Sequence, residues 1–379
     1  MRVKDDQSLY RVGGKLDIAP GQSIVLSSIY QTRDISLFTI DVGQGVTFDI
    51  WSSAMEAQYS LVEPGFNLIA GAGHLRGFLA QPETGFSVDS YFSNAYVYAL
   101  VKPQNSGLKL SFGASMDTLD ENALHRSELC PKLGLIWNPI ASTTIRAASI
   151  KTLKRPLVGN QTIEPTQIAG FDQFFEDVDG AVSWLYGVGV DQRLGSIHVG
   201  LQASQRDIHV PLVLPDSTID IYWKERAGTA YVYWPIASDR QRLLLPSWSF
   251  AALLGYEQEY YQRPADFSGN EGFVSLKSQL FPITLTAFPD SSISLRLGTS
   301  YVRQKGVLQV ASFTTAFPVD RDFWITNFEA SYLISARRGS VTVGVQNLFN
   351  RHFQFEETDV GVTRFSPGRF IFARLTIRF

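Results

Sequence analysis

Between Ala181 and Arg193 the side chains alternate without a break. Val182, Trp184, Tyr186, Val188 and Val190 fall on one face, and Ala181, Ser183, Gly187, Gly189, Asp191 and Arg193 fall on the other. Successive side chains of an extended strand point to opposite faces, so this period predicts a strand with one apolar side and one small or polar side. The pattern recurs along the chain. Ile197, Val199, Leu201 and Ala203 alternate with Ser196, His198, Gly200, Gln202 and Ser204, and Leu108, Leu110, Phe112, Ala114 and Met116 with Lys109, Ser111, Gly113, Ser115 and Asp117. Ile293, Leu295, Leu297 and Tyr301 oppose Ser294, Arg296, Gly298 and Ser300, and Trp324, Phe328, Ala330, Tyr332 and Ile334 oppose Ile325, Asn327, Glu329 and Ser331. A soluble sandwich also alternates, but its outer face is rich in Lys, Glu and Thr. Here the polar face is mostly Gly, Ser, Gln and isolated charges, which suits a lumen.

The apolar side then faces lipid. Only 18% of residues are charged against roughly a quarter in soluble proteins, while 13% are aromatic, a composition suited to strands and interfacial rings. No run approaches the roughly 18 to 20 apolar residues of a membrane helix, so a spanning structure must use strands of about 9 to 11 residues and close on itself. A formal charge of −3 carries no global basic footprint, and no nucleic-acid partner is expected. The single cysteine, Cys130, excludes an intrachain disulfide and a multi-cysteine metal cluster.

Short turns are expected at Ala19-Pro20-Gly21, Glu63-Pro64-Gly65, Pro103 to Ser106, Asn138-Pro139, Leu194-Gly195, Pro235 to Arg240, Pro289-Asp290-Ser291 and Arg337-Arg338-Gly339, with longer polar stretches at 154–180 and 351–367. Short turns on one rim and long loops on the other are the habit of outer-membrane barrels, the short ones periplasmic. The predicted fold is all-β, an antiparallel up-and-down transmembrane β-barrel of roughly 16 to 18 strands. No linker divides the chain, so residues 1–379 read as one barrel domain. The N-terminus has no apolar h-region or small-residue cleavage site. An exported barrel needs a signal, so the sequence is expected to be either a mature or truncated form or, the preferred reading, the C-terminal part of a longer protein.

Chemistry is sparse. There is no H-E-x-x-H, G-x-S-x-G or P-loop, and Gly187-Val-Gly189 lacks the third glycine of a dinucleotide fingerprint. No enzyme activity, cofactor or metal is expected. If the alternation is in register, Lys109, Asp117, Arg146, Asp191, Arg193, His198, Arg296 and Glu329 face the lumen, where mixed charges tune solute passage or pair to stiffen the wall. The segment Phe171-Asp172-Gln-Phe174-Phe175-Glu176-Asp177-Val-Asp179 is the most distinctive polar stretch. Its carboxylates suit a divalent cation bridging lipopolysaccharide or the lining of a vestibule; the plainer reading, which is preferred, is a solvated loop folded over its own three phenylalanines. Tyr222, Trp223, Tyr231, Tyr233 and Trp234 are candidates for an aromatic girdle at the headgroup level.

The C-terminal strand, Phe370 to Phe379, carries Ile371, Ala373, Leu375, Ile377 and Phe379 on one face and ends on an aromatic. It resembles the terminal strand that the barrel-assembly machinery recognises in outer-membrane proteins, with Phe379 as the assembly signal. Val345-Gln-Asn-Leu-Phe-Asn350 followed by Pro367-Gly-Arg-Phe370 resembles the closing segment of TonB-dependent receptors, over about residues 340–379. The rest departs from that family, with no TonB box, no globular plug and no room for its usual strand number. Thr162 to Phe175, leading into Gly187-Val-Gly-Val-Asp191, is similar to barrels that follow tetratricopeptide repeats in some Gram-negative proteins, which implies an upstream periplasmic repeat domain as partner.

The expected function is a pore or receptor wall in the bacterial outer membrane, in contact with its lipid and lipopolysaccharide. The alternative is an anchor or export platform without an open channel, and a third reading is a secreted soluble β-protein that binds glycans through its Trp and Tyr residues.

Overall fold

A computed structural model describes residues 2–39, 44–122, 124–156, 158–214, 217–236, 248–264, 272–309, 316–334, 339–356, 358 and 368–377. The strands are β1 (Arg2–Ala19), β2 (Gln22–Thr39), β3 (Gln44–Glu63), β4 (Phe66–Gln81), β5 (Phe86–Val101), β6 (Leu108–Glu121), β7 (Leu124–Ile140) and β8 (Thr143–Leu153). There follow β9 (Gln167–Ile168), β10 (Phe171–Asp172), β11 (Val182–Leu194), β12 (Ile197–Leu214), β13 (Ser217–Ile236) and β14 (Ser249–Gln262). The last are β15 (Gly272–Phe288), β16 (Ile293–Gln309), β17 (Ala316–Ile334), β18 (Gly339–Gln346) and β19 (Phe370–Ile377). Among the described residues 17 strands belong to the main sheet, within the range expected from the alternation, and β9 and β10 pair separately.

The chain forms two compact units. The first holds residues 1–139, 146–187 and 207–222. In it β1 to β7 pair antiparallel in chain order. The turns Pro20-Gly21 and Pro64-Gly65 close two of these hairpins, each glycine at positive φ (72° and 84°) where a side chain would be strained. The register lines up outward rows across the strands: Gly14, Leu26, Ala57, Ala72, Ala95, Met116 and Leu129 stand side by side. Met116 and Leu129 are about half exposed, although a soluble fold would cover them. Higher on the same strands the outward face changes character. On β5 it passes from Ala99, Val97 and Ala95 to Ser93, Tyr91 and Asp89. At 16 residues this strand exceeds the roughly 9 to 11 that span a bilayer.

The second unit holds residues 140–145, 188–206 and 223–379, and here β13 to β19 pair in chain order. Its outward face shows an apolar band of Leu254, Ile283, Leu285, Leu297, Val343, Ile371 and Leu375, all large side chains left exposed. One edge of the band is an aromatic row on four adjacent strands. Tyr256, Phe281, Tyr301 and Trp324 follow one another at ring separations of 5.0, 6.0 and 5.1 Å. Such rows sit at the headgroup level of membranes.

That row corrects the girdle expected on β13. Tyr231 donates its hydroxyl to Asp191 Oδ1 at 2.9 Å and Tyr233 lies 6.1 Å from the His198 ring, so both share the polar face. Trp223, on the same parity, packs against Tyr261. Tyr222 and Trp234, of opposite parity, are exposed. Period two divides neighbouring aromatics between faces, and a run rich in rings therefore does not make a girdle. The reversal expected at Asn138-Pro139 also moves: β7 runs on to Ile140 and the turn falls on Ala141 and Ser142.

The closing motif is a strand terminator. After β18, Asn347 turns the chain at φ 49° and its side-chain amide both donates to Arg351 O and accepts from Arg351 N, each at 2.8 Å. Asn350 Oδ1 then receives Arg369 N at 2.8 Å and sets the start of β19. Asparagine suits both tasks, since it tolerates left-handed backbone and bonds locally through its side chain. Phe379 lies outside the described residues.

Candidate functional site

In the first unit the polar face of the sheet is covered by the chain's own segment 154–181. Its neck is closed by backbone hydrogen bonds from Lys154 N to Ala181 O (2.7 Å) and from Gly180 N to Lys154 O (2.9 Å). Between these ends the chain lies across the sheet, tied by hydrogen bonds to β1, β2, β3, β5 and β7. Arg11 donates to Gln161 Oε1 at 2.7 Å and Gln31 Oε1 accepts Gly159 N at 3.0 Å. Glu56 accepts from Thr162 Oγ1 and, at 3.0 Å, from Ile163 N, while Gln58 Nε2 donates to Ile163 O.

The centre is a buried charged knot. Arg155 pairs with Glu164 at 2.9 Å, their side chains only 6% and 3% exposed. The guanidinium lies between two rings, 5.3 Å from Phe92 and 4.9 Å from Phe174. Glu164 also accepts from Asn94 Nδ2 at 2.9 Å and from the Tyr98 hydroxyl. Gln173, 1% exposed, joins Tyr98 and donates to Pro165 O. Burial makes an unpaired charge expensive, and here one carboxylate receives three donors. Arg155 Nε and Asn94 Oδ1 lack a protein partner and both residues line a cavity of about 20 Å³, space for one water between a donor and an acceptor.

Glycines on the strands make room for the segment. A side chain at Gly187 would stand 2.3 Å from the Phe171 ring, and one at Gly134 would stand 2.6 Å from Ile168. Gly113 similarly seats the Tyr98 ring. The Gly-rich polar face read from the sequence is therefore partly a bed for aromatic side chains and for the inserted chain.

The loop candidates accordingly do not form a solvated loop closed on its own rings. Phe171 is 2% exposed, Phe174 packs on Arg155, and Phe175 packs against the cluster of Tyr96, Tyr98 and Ile150. The carboxylates point apart. Asp172 accepts Gln167 Nε2 at 2.8 Å, Asp179 lies 3.3 Å from Lys154, and Glu176 is exposed while Asp177 is half-buried. Among the described residues no three His, Cys, Asp or Glu gather as a metal site. Asp179, partly exposed beside the neck, has its carboxyl pushed up by burial against the opposing pull of Lys154.

Of the charged candidates, Asp117 and Arg146 meet this assembly. Asp117 accepts Ser115 Oγ at 3.0 Å, and Arg146 sits 5.7 Å from the Phe171 ring. Asp191 and His198 lie with Tyr231 and Tyr233 in the second unit. Lys109 is exposed opposite Ile136, Arg193 is the penultimate residue of β11, and Arg296 faces Glu329 across β16 and β17. Lys132 was not among the sequence candidates. It is 1% exposed, donates to Ser115 Oγ at 2.7 Å and lies 5.6 Å from the Tyr98 ring. The alternation of Leu129, Pro131 and Leu133 outward marks its inward direction. Arg155, Glu164 and Gln173 carry no such signal, because irregular chain has no period.

No protein-family model and no curated protein matches the sequence. Solved structures do. The FrpB iron transporter of Neisseria meningitidis superposes with a TM-score of 0.72 at 11% identity, covering 98% of this chain and 63% of that one. The ferric-catecholate import receptor Fiu of E. coli K12 gives 0.65 at 11% identity, with 100% and 64% covered. The fold is that of outer-membrane receptor barrels. BauA, the ferric preacinetobactin receptor of Acinetobacter baumannii, agrees at 0.66 and 12% identity, with 99% and 63% covered. The chain thus spans less than two thirds of the length of these receptors, and at such identity the likeness concerns the fold alone.

Proposed function

We propose that this chain is a non-enzymatic barrel domain over residues 1–379, embedded in a bacterial outer membrane. It forms a receptor or pore wall whose solute path is narrowed by its own segment 154–181 in place of a separate globular plug. The observation that carries this reading is the division of faces within each unit: in the second, exposed apolar side chains bounded by an aromatic row, and in the first, exposed apolar side chains such as Met116 and Leu129 on the face opposite a buried network of charge and amide. Residues such as Asp117, Lys132 and Arg146 then line or brace the lumen. The last strand presents the chain to the barrel-assembly machinery, and outer-membrane lipid and lipopolysaccharide surround it.

The cover that segment 154–181 lays over the polar face of the first unit supports a second reading, a closed anchor for an upstream periplasmic repeat domain. Planar-bilayer conductance separates the two. The chain, refolded in detergent, should show the heat-modifiable gel mobility of a closed barrel and then conduct as single channels if it is a pore. A folded barrel without conductance selects the anchor, and a chain that stays folded in plain buffer with no mobility shift removes both.

A further inference from the structure

The outward face of β1 to β4 is not evenly bulky. Gly14, Leu26, Ala57 and Ala72 lie in one row with Leu26 its single large member, and together with Val12, Leu16 and Met55 beside them they line a groove of about 1000 Å³, almost wholly apolar. His74 closes one end and shares a 2.9 Å hydrogen bond with Ser93 on the neighbouring strand. Two residues further along the same face of β4 stands Arg76. Its guanidinium is 5.3 Å from the Trp51 ring and 5.3 Å from the Tyr91 ring, and 3.5 Å from Asp89. Both members of that ion pair are about half exposed, so the contact is weak and leaves the guanidinium fork open to a stronger acceptor.

An apolar groove closed by His74, with an arginine framed by Trp and Tyr just beyond it on the same face of β4, has the polarity of one lipid molecule. We propose that it holds an anionic diacyl phospholipid, with the acyl chains along Leu16, Leu26 and Met55 and the phosphate on Arg76. The aromatic frame fits the headgroup level, where such rings settle. Arginine pairs with phosphate through two parallel hydrogen bonds, which a choline headgroup's cation opposes. The site rests on the membrane reading above, because only a lipid-facing wall exposes this groove to acyl chains.

The test uses the full chain inserted into vesicles containing equal phosphatidylglycerol and phosphatidylcholine, extracted in mild detergent, with retained lipid counted by native mass spectrometry. The wild type should keep phosphatidylglycerol over phosphatidylcholine by roughly tenfold, the ratio a charge-assisted contact supplies. Arg76→Gln should abolish the preference while lipid is still retained, and Ala72→Trp should lose the retained lipid. Heat-modifiable mobility of every variant shows that it remains folded. A wild type that inserts and shifts on the gel but keeps both lipids equally, or that fills the groove with a second copy of itself, overturns the lipid site alone. A chain that inserts into neither vesicle overturns the membrane reading and the site with it.

Discussion

Arg155 and Glu164, nine residues apart in the same inserted segment, form a buried ion pair at 2.9 Å against the wall of β5. The pair is local in sequence, but its burial is not, because Asn94 and Tyr98 supply the other donors to the carboxylate. Arg155→Met leaves Glu164 buried without its countercharge and should destabilise the seating of the segment by about 3 to 5 kcal/mol. Hydrogen exchange across 154–181 should rise sharply in this variant while β16 and β17 stay protected. Arg155→Met combined with Glu164→Leu should recover much of the protection; a double variant as open as the single one would show that charge is not what holds the segment.

Phe171 and Gly187 are a matched pair. Gly187→Val places a side chain where the Phe171 ring lies, and overpacking of this kind costs about 1 to 3 kcal/mol. Limited proteolysis in detergent should therefore cut the segment faster. Phe171→Ala in the same chain should restore resistance, and its failure to do so would sever the proposed link between these two positions.

The neck of the segment should respond to pH. Burial raises the Asp179 carboxyl above its ordinary 3.8, so the folded neck prefers the protonated form. Its contribution is complete below that ordinary value and is lost as pH rises through the raised one. Exchange of the neck amides should accelerate, relative to the strands, as pH rises through that range, after correction for intrinsic rates, and Asp179→Asn should flatten the profile. A profile identical in the two proteins would assign the change to another group.

The two faces of one strand should differ in tolerance. Leu285 is exposed in the apolar band of β15 and Thr284 points the other way. Leu285→Arg should cost about 2 to 4 kcal/mol in urea unfolding from vesicles, as a charge facing lipid near the midplane does, and Thr284→Arg much less. Equal costs at the two positions would be incompatible with a lipid-facing band.

Trp324 and Trp223 make a spectroscopic contrast. The first belongs to the outward aromatic row and the second packs against Tyr261 on the opposite face. In variants retaining one tryptophan, lipids brominated near the headgroup should quench Trp324 fluorescence strongly and leave Trp223 almost unchanged. Strong quenching of Trp223 would reverse the assignment of faces on β13.

The sequence by itself determined the strands, most of their turns and the direction of most side chains within them. Period two is a property of the extended backbone, so Met116 outward and Asp117 inward follow from the alternation around them, and Pro20-Gly21 or Pro64-Gly65 mark reversals through their own dihedral preferences. Even Lys132 was legible in this way. Only the tertiary structure decided which aromatics align across strands and what covers the polar face. The row from Tyr256 to Trp324 depends on the register of four strands, which no single strand encodes, and the neighbouring rings of β13 divide between faces once that register is set. Segment 154–181 has no period to read. Its course over β1 to β7 is fixed by Glu56, Asn94, Tyr98, Gly134 and Gly187, residues distant in sequence that come together only when the strands have paired.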